Sequence, residues 1–415
     1  MANHHPEGQE TGLANHEAIG RIGKVYAMHL VTDLWGDVPY SEALRADDPE
    51  KPITTPVYDS QEAIYTAMLA ELETAVGLLD SSAESFGSED LIYGGDVTKW
   101  EKFANSLRLR LAMRISGVAP AVAQPIVQDL ASRPLITSNA DNFTLVYLSA
   151  DPNRNPLFEN HQTRNDHAVS NTLVNLLGAL GDPRIEVYAD PAGTPNPTAD
   201  YAWCGAAGEP VCHVTFNGEL YRGMRNGVNS NAVPTPFSLW SEPGTVFRDQ
   251  PATPQPLLTA AEVNFLLAEA ALNGWGGVAQ DYYEAGIRAG FDLWNGANGV
   301  NLGSGVQSAY LAQQGVAWGS TPVDGAGDDR ELIAEQKWLA LYTISPEAYA
   351  EYRRTGYPDE IQPSMDATII STVPGRIPYP DDEQSLNKAN RDAAIAAQSA
   401  QGVDGTYKGH VWWDR

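Results

Sequence analysis

The sequence predicts a mainly α protein: an α/α superhelix of tetratricopeptide-like helix pairs, with long irregular loop insertions and minor β. Three observations predict it. Residues 257–295 read as two amphipathic helices joined by a tight turn, the helical spacing of apolar residues recurs on both sides of that hairpin, and the helical stretches are separated by long segments dense in Pro, Gly and Asn.

The hairpin carries the clearest signal. Thr259 followed three positions later by Glu262 makes a capping box, which satisfies two backbone N–H groups left unpaired in a first helical turn. Val263, Leu266, Leu267, Ala270 and Ala271 then recur at i, i+3, i+4, i+7 and i+8 and share one apolar face, and Asn273-Gly274 ends the helix. After a Gly-Trp-Gly-Gly turn, Tyr283, Ile287, Phe291 and Trp294 stripe a second helix, on which Ala285, Gly286, Ala289 and Gly290 let a neighbour approach closely. Such a pair cannot bury its own face alone, so the rest of the chain must supply stacking partners.

Those partners are legible in order. Ile19, Ile22, Tyr26, Leu30 and Leu34 keep a helical period from His16 to Trp35, where Gly36 and Pro39 stop it. Asp59 with Glu62 opens a second helix, striped by Ile64, Met68, Leu72, Val76 and Leu79. A third, Thr98 to Ser116, turns Trp100, Phe103, Leu107, Leu111 and Ile115 inward and leaves Arg108, Arg110 and Arg114 on other faces; a short fourth spans Ala121 to Ala131. Between Pro134 and Asp166 the period vanishes: Phe143 to Leu148 reads as a short extended segment and Asp151 to Asp166 as polar turns. A helix with Leu173, Val174, Leu176, Leu177 and Leu180 ends at Gly181-Asp182-Pro183, and beyond the hairpin a helix over 330–342, another begun by Ser345-Pro346, and an Ala-rich last helix complete the set. The two tryptophans of the tail, Trp412 and Trp413, pack on the body. The expected scaffold is therefore residues 12–131, 168–181, 257–295, 330–356 and 384–400, with loop-rich insertions at 134–166, 190–256 and 296–329, all in one domain spanning 1–415. Insertions of that length are uncommon in a compact body and usually functional.

Composition narrows the partners. The chain carries 53 acidic against 26 basic residues, a formal net charge of -27, which opposes binding to nucleic acid or anionic lipid. Its scarcity of Lys beside Arg suits either a high-salt setting or an ordinary acidic secreted protein. No apolar run is long enough to span a bilayer. The opening MANHHPEGQE lacks a charged n-region and an apolar h-region and enters a helix almost directly, so the chain reads as truncated at its N-terminus. Cys204 and Cys212 lie in one Gly- and Pro-rich loop, where a local disulfide is the first reading and two free thiols the alternative. Zinc is disfavoured because His213 alone accompanies them, and no metal or cofactor is expected.

Several stretches together resemble the SusD/RagB family: TDLWGDVPYSEAL near the start, KWEKFANSLRLRLAMRIS from Lys99, NPLFEN and DPRIEVYADP, AAEVNFLLAEAALNGW, YYEAGIRAGFDLW, EQKWLALY, YRRTGYP and RIPYPDDEQSLNKAN. They occur in the family's order across nearly the whole chain. The resemblance implies a scaffold of tetratricopeptide-like pairs bearing loops that make a ligand face. It also implies a non-catalytic, nutrient-binding lipoprotein on the outer face of the outer membrane. That protein captures oligosaccharides, or in some members peptides, and delivers them to a SusC-like TonB-dependent transporter. The family's signal peptide and lipidated cysteine have no match in the chain, so anchoring follows from kinship alone.

Sugar sites pair aromatic ring faces with polar side chains that grip hydroxyls. The insertions offer Trp203, Tyr221, Trp240 and Trp318 for stacking, with Arg222, Asn226 and Asn229 as polar partners; the competing role for each aromatic is to anchor its own loop. Trp35, Trp100, Trp275, Trp294 and Trp338 fall in helical or family-like segments and read as core. Arg353, Arg354 and Arg376 read as structural ion-pair partners. The acidic run from Val323 to Glu331 lacks EF-hand spacing and reads as a solvated turn with an N-capping acid rather than a calcium loop. No HExxH, Gly-x-Ser-x-Gly or phosphate-cradling motif is present, and the expectation is no enzyme. The alternatives are a tetratricopeptide-type peptide adaptor and an all-helical glycoside hydrolase, whose paired carboxylates a sequence does not reveal.

Overall fold

The computed structural model describes residues 13–164, 167–193, 212–228, 239–325, 327–365, 370, 372–402 and 405–414. In chain order the helices are α1 Leu13–Trp35, α2 Gln61–Leu78, α3 Val97–Arg114, α4 Pro120–Leu130, α5 Pro156–Thr163, α6 Asn171–Ala179 and α7 Ile185–Tyr188. They continue with α8 Thr245–Arg248, α9 Ala260–Leu272, α10 Ala279–Trp294, α11 Ser304–Leu311, α12 Asp329–Ala340, α13 Ser345–Thr355, α14 Asp381–Leu386 and α15 Lys388–Ala400. The strands are β1 Phe143–Leu145, β2 His213–Phe216, β3 Glu219–Arg222 and β4 Gln255–Leu258, forming the two-stranded pairs β1–β4 and β2–β3. The fold is mainly α with minor antiparallel β, as the sequence predicts. Among the described residues no helix is long and apolar enough to cross a membrane.

Contacts concentrate in two compact units, Met1–Ile136 with Pro374–Arg415, and Thr137–Val373. In the first, α1 to α4 pack in sequence and α14 and α15 join them. Asp96 caps α3 by accepting from Thr98 N (3.0 Å) and Lys99 N (3.2 Å). The cap of α2 differs from the expected Asp59: Ser60 takes that role, accepting from Ala63 N, while Asp59 accepts from the backbone of Tyr40 and Ser41 and ties down the loop after α1. Arg110 and Arg114, on faces other than the apolar stripe, are each 1% exposed. Their burial follows from partners remote in sequence: Arg110 lies 3.4 Å from His29 Nε2, and Arg114 lies 3.9 Å from Asp33 and over the Trp413 ring. Trp413 itself donates its indole N–H to Asp33 (2.9 Å), so the tail packs as expected.

In the second unit α9 and α10 form the predicted hairpin. Thr259 accepts from Glu262 N (3.3 Å). The residues before it pair as β4 with β1 in the register Phe143↔Leu258, Thr144↔Pro256 and Leu145↔Gln255, so Leu257 and Leu258, inside the expected hairpin bounds, are strand. Gly286 seats the ring of Phe265 so closely that an added Cβ would lie 2.8 Å from it. Each of the three insertions holds a helix that periodicity does not mark: α5, the one-turn α8, and α11. α5 is capped by Asn155, whose side chain accepts from Leu157 N (2.8 Å), and begins at Pro156, which has no N–H to leave unpaired. The acidic run ends as expected, with Asp328 capping α12 by accepting from Arg330 N (2.8 Å).

Candidate functional site

The site is built on the first turns of α6. Ser170 caps the helix through Thr172 N, and its backbone bridges Met224 in parallel; Asn171 N donates to Met224 O (3.0 Å) and Met224 N to Val169 O (2.8 Å). This approach is possible because residue 223 is glycine: a Cβ there would stand 2.3 Å from Asn171 Cα. The strand pair β2–β3 turns at Asn217 (φ 49°) and Gly218 (φ 86°), the two-residue hairpin that matches strand twist, and rests on α6 with Val214 against Gly178. The Asn-Gly pair between His213–Phe216 and Glu219–Arg222 was a readable hairpin signal that the sequence reading passed over.

On the other side of α6 runs the segment after α13. Thr172 Oγ1 donates to Glu360 O (3.4 Å), and Met365 N donates to Asn226 O (3.0 Å). Between them opens a cavity of about 120 Å³, lined by Asn171, Thr172, Asn175, Leu176, Ala179 and Glu360. Its lining residues include two amides, a hydroxyl and a carboxyl, and Leu176 and Ala179 add apolar surface. Behind Glu360, α12 presents Glu331 and Glu335, 2% and 1% exposed. Burial, then the neighbouring acids Asp324, Asp359 and Glu360, pushes Glu331 up to about 7; burial, then Glu360 and Glu331, pushes Glu335 up to about 8. Burial also raises Glu360, with Asp359 and Asp324 adding to it. The sequence reading places Glu331 in a solvated turn, whereas it is buried, and names neither Glu335 nor Glu360, because residues from α6, α12 and the 357–361 segment meet only in the folded chain.

The sequence-predicted residues divide. Tyr221, Arg222 and Trp240 are each 2% exposed, so in this structure none turns a ring face or guanidinium to solvent. Arg222 and Ser241 exchange backbone and hydroxyl hydrogen bonds, which brings Trp240 beside β3, and Trp240 packs with Cys212, Met224, Val228 and Met365. Asn226 is exposed next to this cluster. Trp318 lies apart, half-buried with its ring 5.3 Å from that of Tyr283. Trp203, Asn229 and Cys204 lie outside the described residues. Cys212 is disulfide-bonded, and Cys204 is the other cysteine in the sequence. Of the core tryptophans, Trp100 and Trp294 are 5% and 6% exposed, whereas Trp35, Trp275 and Trp338 are half-buried. Arg354 makes the expected ion pairs, with Glu269 (2.6 Å) and Glu351 (2.8 Å). Arg376 donates to Trp35 O (2.8 Å) and to the Gln398 side chain.

This helical scaffold with minor antiparallel β is of the tetratricopeptide-like superhelical class. A SusD-like family model, described as starch-binding associating with outer membrane, matches residues 1–380. A solved chitin-binding protein is 31% identical, with a TM-score of 0.79 over 98% of this chain and 82% of its own. A chitin-binding SusD homolog from Flavobacterium johnsoniae is 29% identical (TM-score 0.76, 99% and 82% covered), and a SusD homolog from Bacteroides uniformis is 30% identical (TM-score 0.76, 96% and 81% covered). No curated protein sequence matches. The chain belongs to the SusD-like family. It is accordingly a non-catalytic nutrient-binding protein of the outer-membrane surface, in a family whose members work with SusC-type transporters.

Proposed function

We propose that this protein captures chitin-type oligosaccharides at the α6 cavity and its rim and delivers them to a SusC-like TonB-dependent transporter, with residues 1–415 working as one SusD-like domain. The observation that carries the ligand class is the similarity, over nearly all of this chain and 82% of each relative, to two structures described as chitin-binding proteins. The cavity fits that class. Chitin-type sugars differ from starch-type sugars by a nitrogen substituent at C2, and the amides of Asn171 and Asn175 with the Thr172 hydroxyl supply hydrogen-bonding partners for it over Leu176 and Ala179. Exposed Asn226 and the half-buried ring of Trp318 are further candidates for sugar contacts, as are Trp203 and Asn229, which lie outside the described residues.

Capture without chemistry calls for modest affinity, because a shallow, wet site returns little net free energy after ordering costs. Isothermal titration with chitopentaose and maltopentaose tests the reading. Chitopentaose is expected to bind and maltopentaose to bind at least about tenfold more weakly, and Asn175→Ala is expected to cost about 1 kcal/mol of the chitopentaose affinity. Preference for maltopentaose would replace chitin with starch as the ligand class.

A further inference from the structure

Asparagine followed by glycine is the pair most prone to lose its side-chain amide, because glycine puts no Cβ in the way of its own backbone nitrogen. That nitrogen gives up its proton and attacks the Asn Cγ, ammonia leaves, and a five-membered succinimide closes. Water then opens the ring at either carbonyl, giving aspartate or isoaspartate. The sequence holds five such pairs, beginning at Asn217, Asn226, Asn273, Asn295 and Asn298. For the ring to close, the Asn side chain has to swing onto the backbone and the N–H after it has to be free.

Four of the pairs are tied. Asn217 Nδ2 donates to Glu186 Oε1 (3.0 Å). Behind Asn273, Gly274 N donates to Ala271 O (2.9 Å) at the end of α9. Asn295 Oδ1 accepts from Leu302 N (2.8 Å), and Gly296 N donates to Val300 O (2.9 Å). Asn298 is held most: its Oδ1 accepts from Thr245 Oγ1 and Val246 N (both 2.8 Å), its Nδ2 donates to Val187 O (3.2 Å), and Gly299 N donates to Gly296 O (3.1 Å). Asn226 differs. It and Gly227 are exposed, and among the described residues neither its side chain nor Gly227 N makes a hydrogen bond. Its carbonyl accepts from Met365 N (3.0 Å), and a donor on that oxygen stabilises the charge that spreads onto it when Gly227 N loses its proton. Exposure alone does not separate the pairs, since Asn217, Asn295 and Asn298 are exposed as well.

We propose that Asn226-Gly227 is the site at which the folded protein modifies itself by amide loss, selected over the other four pairs by the hydrogen bonds it lacks. The change falls where it has structural reach. Met224, two positions earlier, bonds the main chain of Val169 and of the cavity residue Asn171. In the isoaspartyl form the main chain runs through the former side chain, which inserts a methylene and turns the carbonyl that accepts from Met365 into a free carboxylate. Either product adds a negative charge to a chain already at -27. None of this rests on the ligand class proposed above.

Incubating the full chain at neutral and at mildly alkaline pH tests this, with isoaspartate read by an isoaspartate-specific methyltransferase and assigned by tandem mass spectrometry of the peptides. Asn226 is expected to convert at least about fivefold faster than any other Asn-Gly pair, the rate factor of one net hydrogen bond that has to break first. Conversion is expected to speed up at the higher pH, because loss of the Gly227 amide proton starts it. Asn226→Gln, which would have to close a six-membered ring, is expected to remove most of the methyl acceptance. Gly227→Ala is no substitute, since Gly227 has φ 67° and a Cβ there would lie 2.0 Å from Ser364 Oγ. The same chain unfolded in urea supplies the reference: its ties are gone, and the five pairs are expected to convert at similar rates. Faster conversion at any other asparagine of the folded chain, or no leading site at all, overturns the proposal. So does an Asn226 lead that persists undiminished in urea, which would place its cause in the neighbouring sequence rather than the fold.

Discussion

Two charged clusters lie within the second unit, each with buried members, and they are built on opposite principles. In one, Asp182 and Arg184, each 0% exposed, face each other with paired bonds: Arg184 Nε to Asp182 Oδ1 at 3.0 Å and Nη2 to Oδ2 at 2.6 Å. Tyr310 donates to Asp182 Oδ2 (2.7 Å), Gln336 bridges Tyr310 (2.8 Å) and Arg184 (2.9 Å), and the guanidinium sits 4.9 Å over the Phe291 ring. Charge is balanced, and both carboxylate oxygens are used. In the other, Glu331, Glu335 and Glu360 gather with Asp324 and Asp359, and the charges acting on them are acidic. The first cluster locks α6, α7, α11 and α12 together. The second holds acids in a state that neutralisation would relieve, and it sits at the cavity. Buried charge that is closed on itself serves the frame; the acidic cluster has no such closure.

The largest test of this contrast breaks the closed cluster. Arg184→Met leaves Asp182 buried and unpaired, and the loss of stability on chemical denaturation is expected to reach about 3–5 kcal/mol. Asp182→Leu with Arg184→Met together removes both charges, and the double variant is expected to be more stable than either single one. A double variant as damaged as the sum of its parts would show that the pair contributes through shape rather than charge.

The open cluster should respond the other way. Glu335→Gln removes an acid whose proton the folded chain retains up to about 8, against 4.5 for an unperturbed glutamate. The sign follows from linkage: between those values the folded state binds more protons than the unfolded one, so wild-type stability falls as pH rises through the window and levels off above it. Below 4.5 the variant and wild type are expected to match. Above 8 the variant should be the more stable, by about 1–3 kcal/mol, the usual cost of a buried polar group left unsatisfied. Denaturation midpoints measured at pH 4, 6 and 8 read this directly.

How far the chain could be read ahead of its structure depends on how far apart the deciding residues lie. The Thr259 cap, the Gly286 contact with Phe265 and the Asp328 cap are local or repeat-level features, and periodicity carries them. Asp59 and Ser60 both have capping side chains; what separated them was the Tyr40 and Ser41 amides, some twenty positions earlier. Asn155-Pro156 signalled α5, but a short polar helix has almost no apolar stripe to mark it. The burial of Arg110 and Arg114 was invisible because His29, Asp33 and Trp413 supply it from remote positions. The cavity is the extreme case. Asn171 and Glu360 are 189 positions apart, α12 enters between them in sequence, and no pattern in any one segment encodes their meeting. Aromatic loop residues were therefore proposed for a role that buried Trp240 and Tyr221 do not offer in this structure.

The smallest expected effect supplies the baseline against which both clusters are measured. Thr259 satisfies Glu262 N at 3.3 Å without any titrating group taking part in that bond. Thr259→Ala should cost about 1 kcal/mol, the usual value of a helix N-cap. Since its hydroxyl does not ionise, the loss should be the same at pH 4 and pH 8. Glu262 lies one turn into α9, 0% exposed, so a pH-dependent loss in Thr259→Ala would mean that the cap also governs that carboxyl. In that event α9 would carry buried charge coupled to its own terminus, and the division into closed and open clusters would have to admit a third kind.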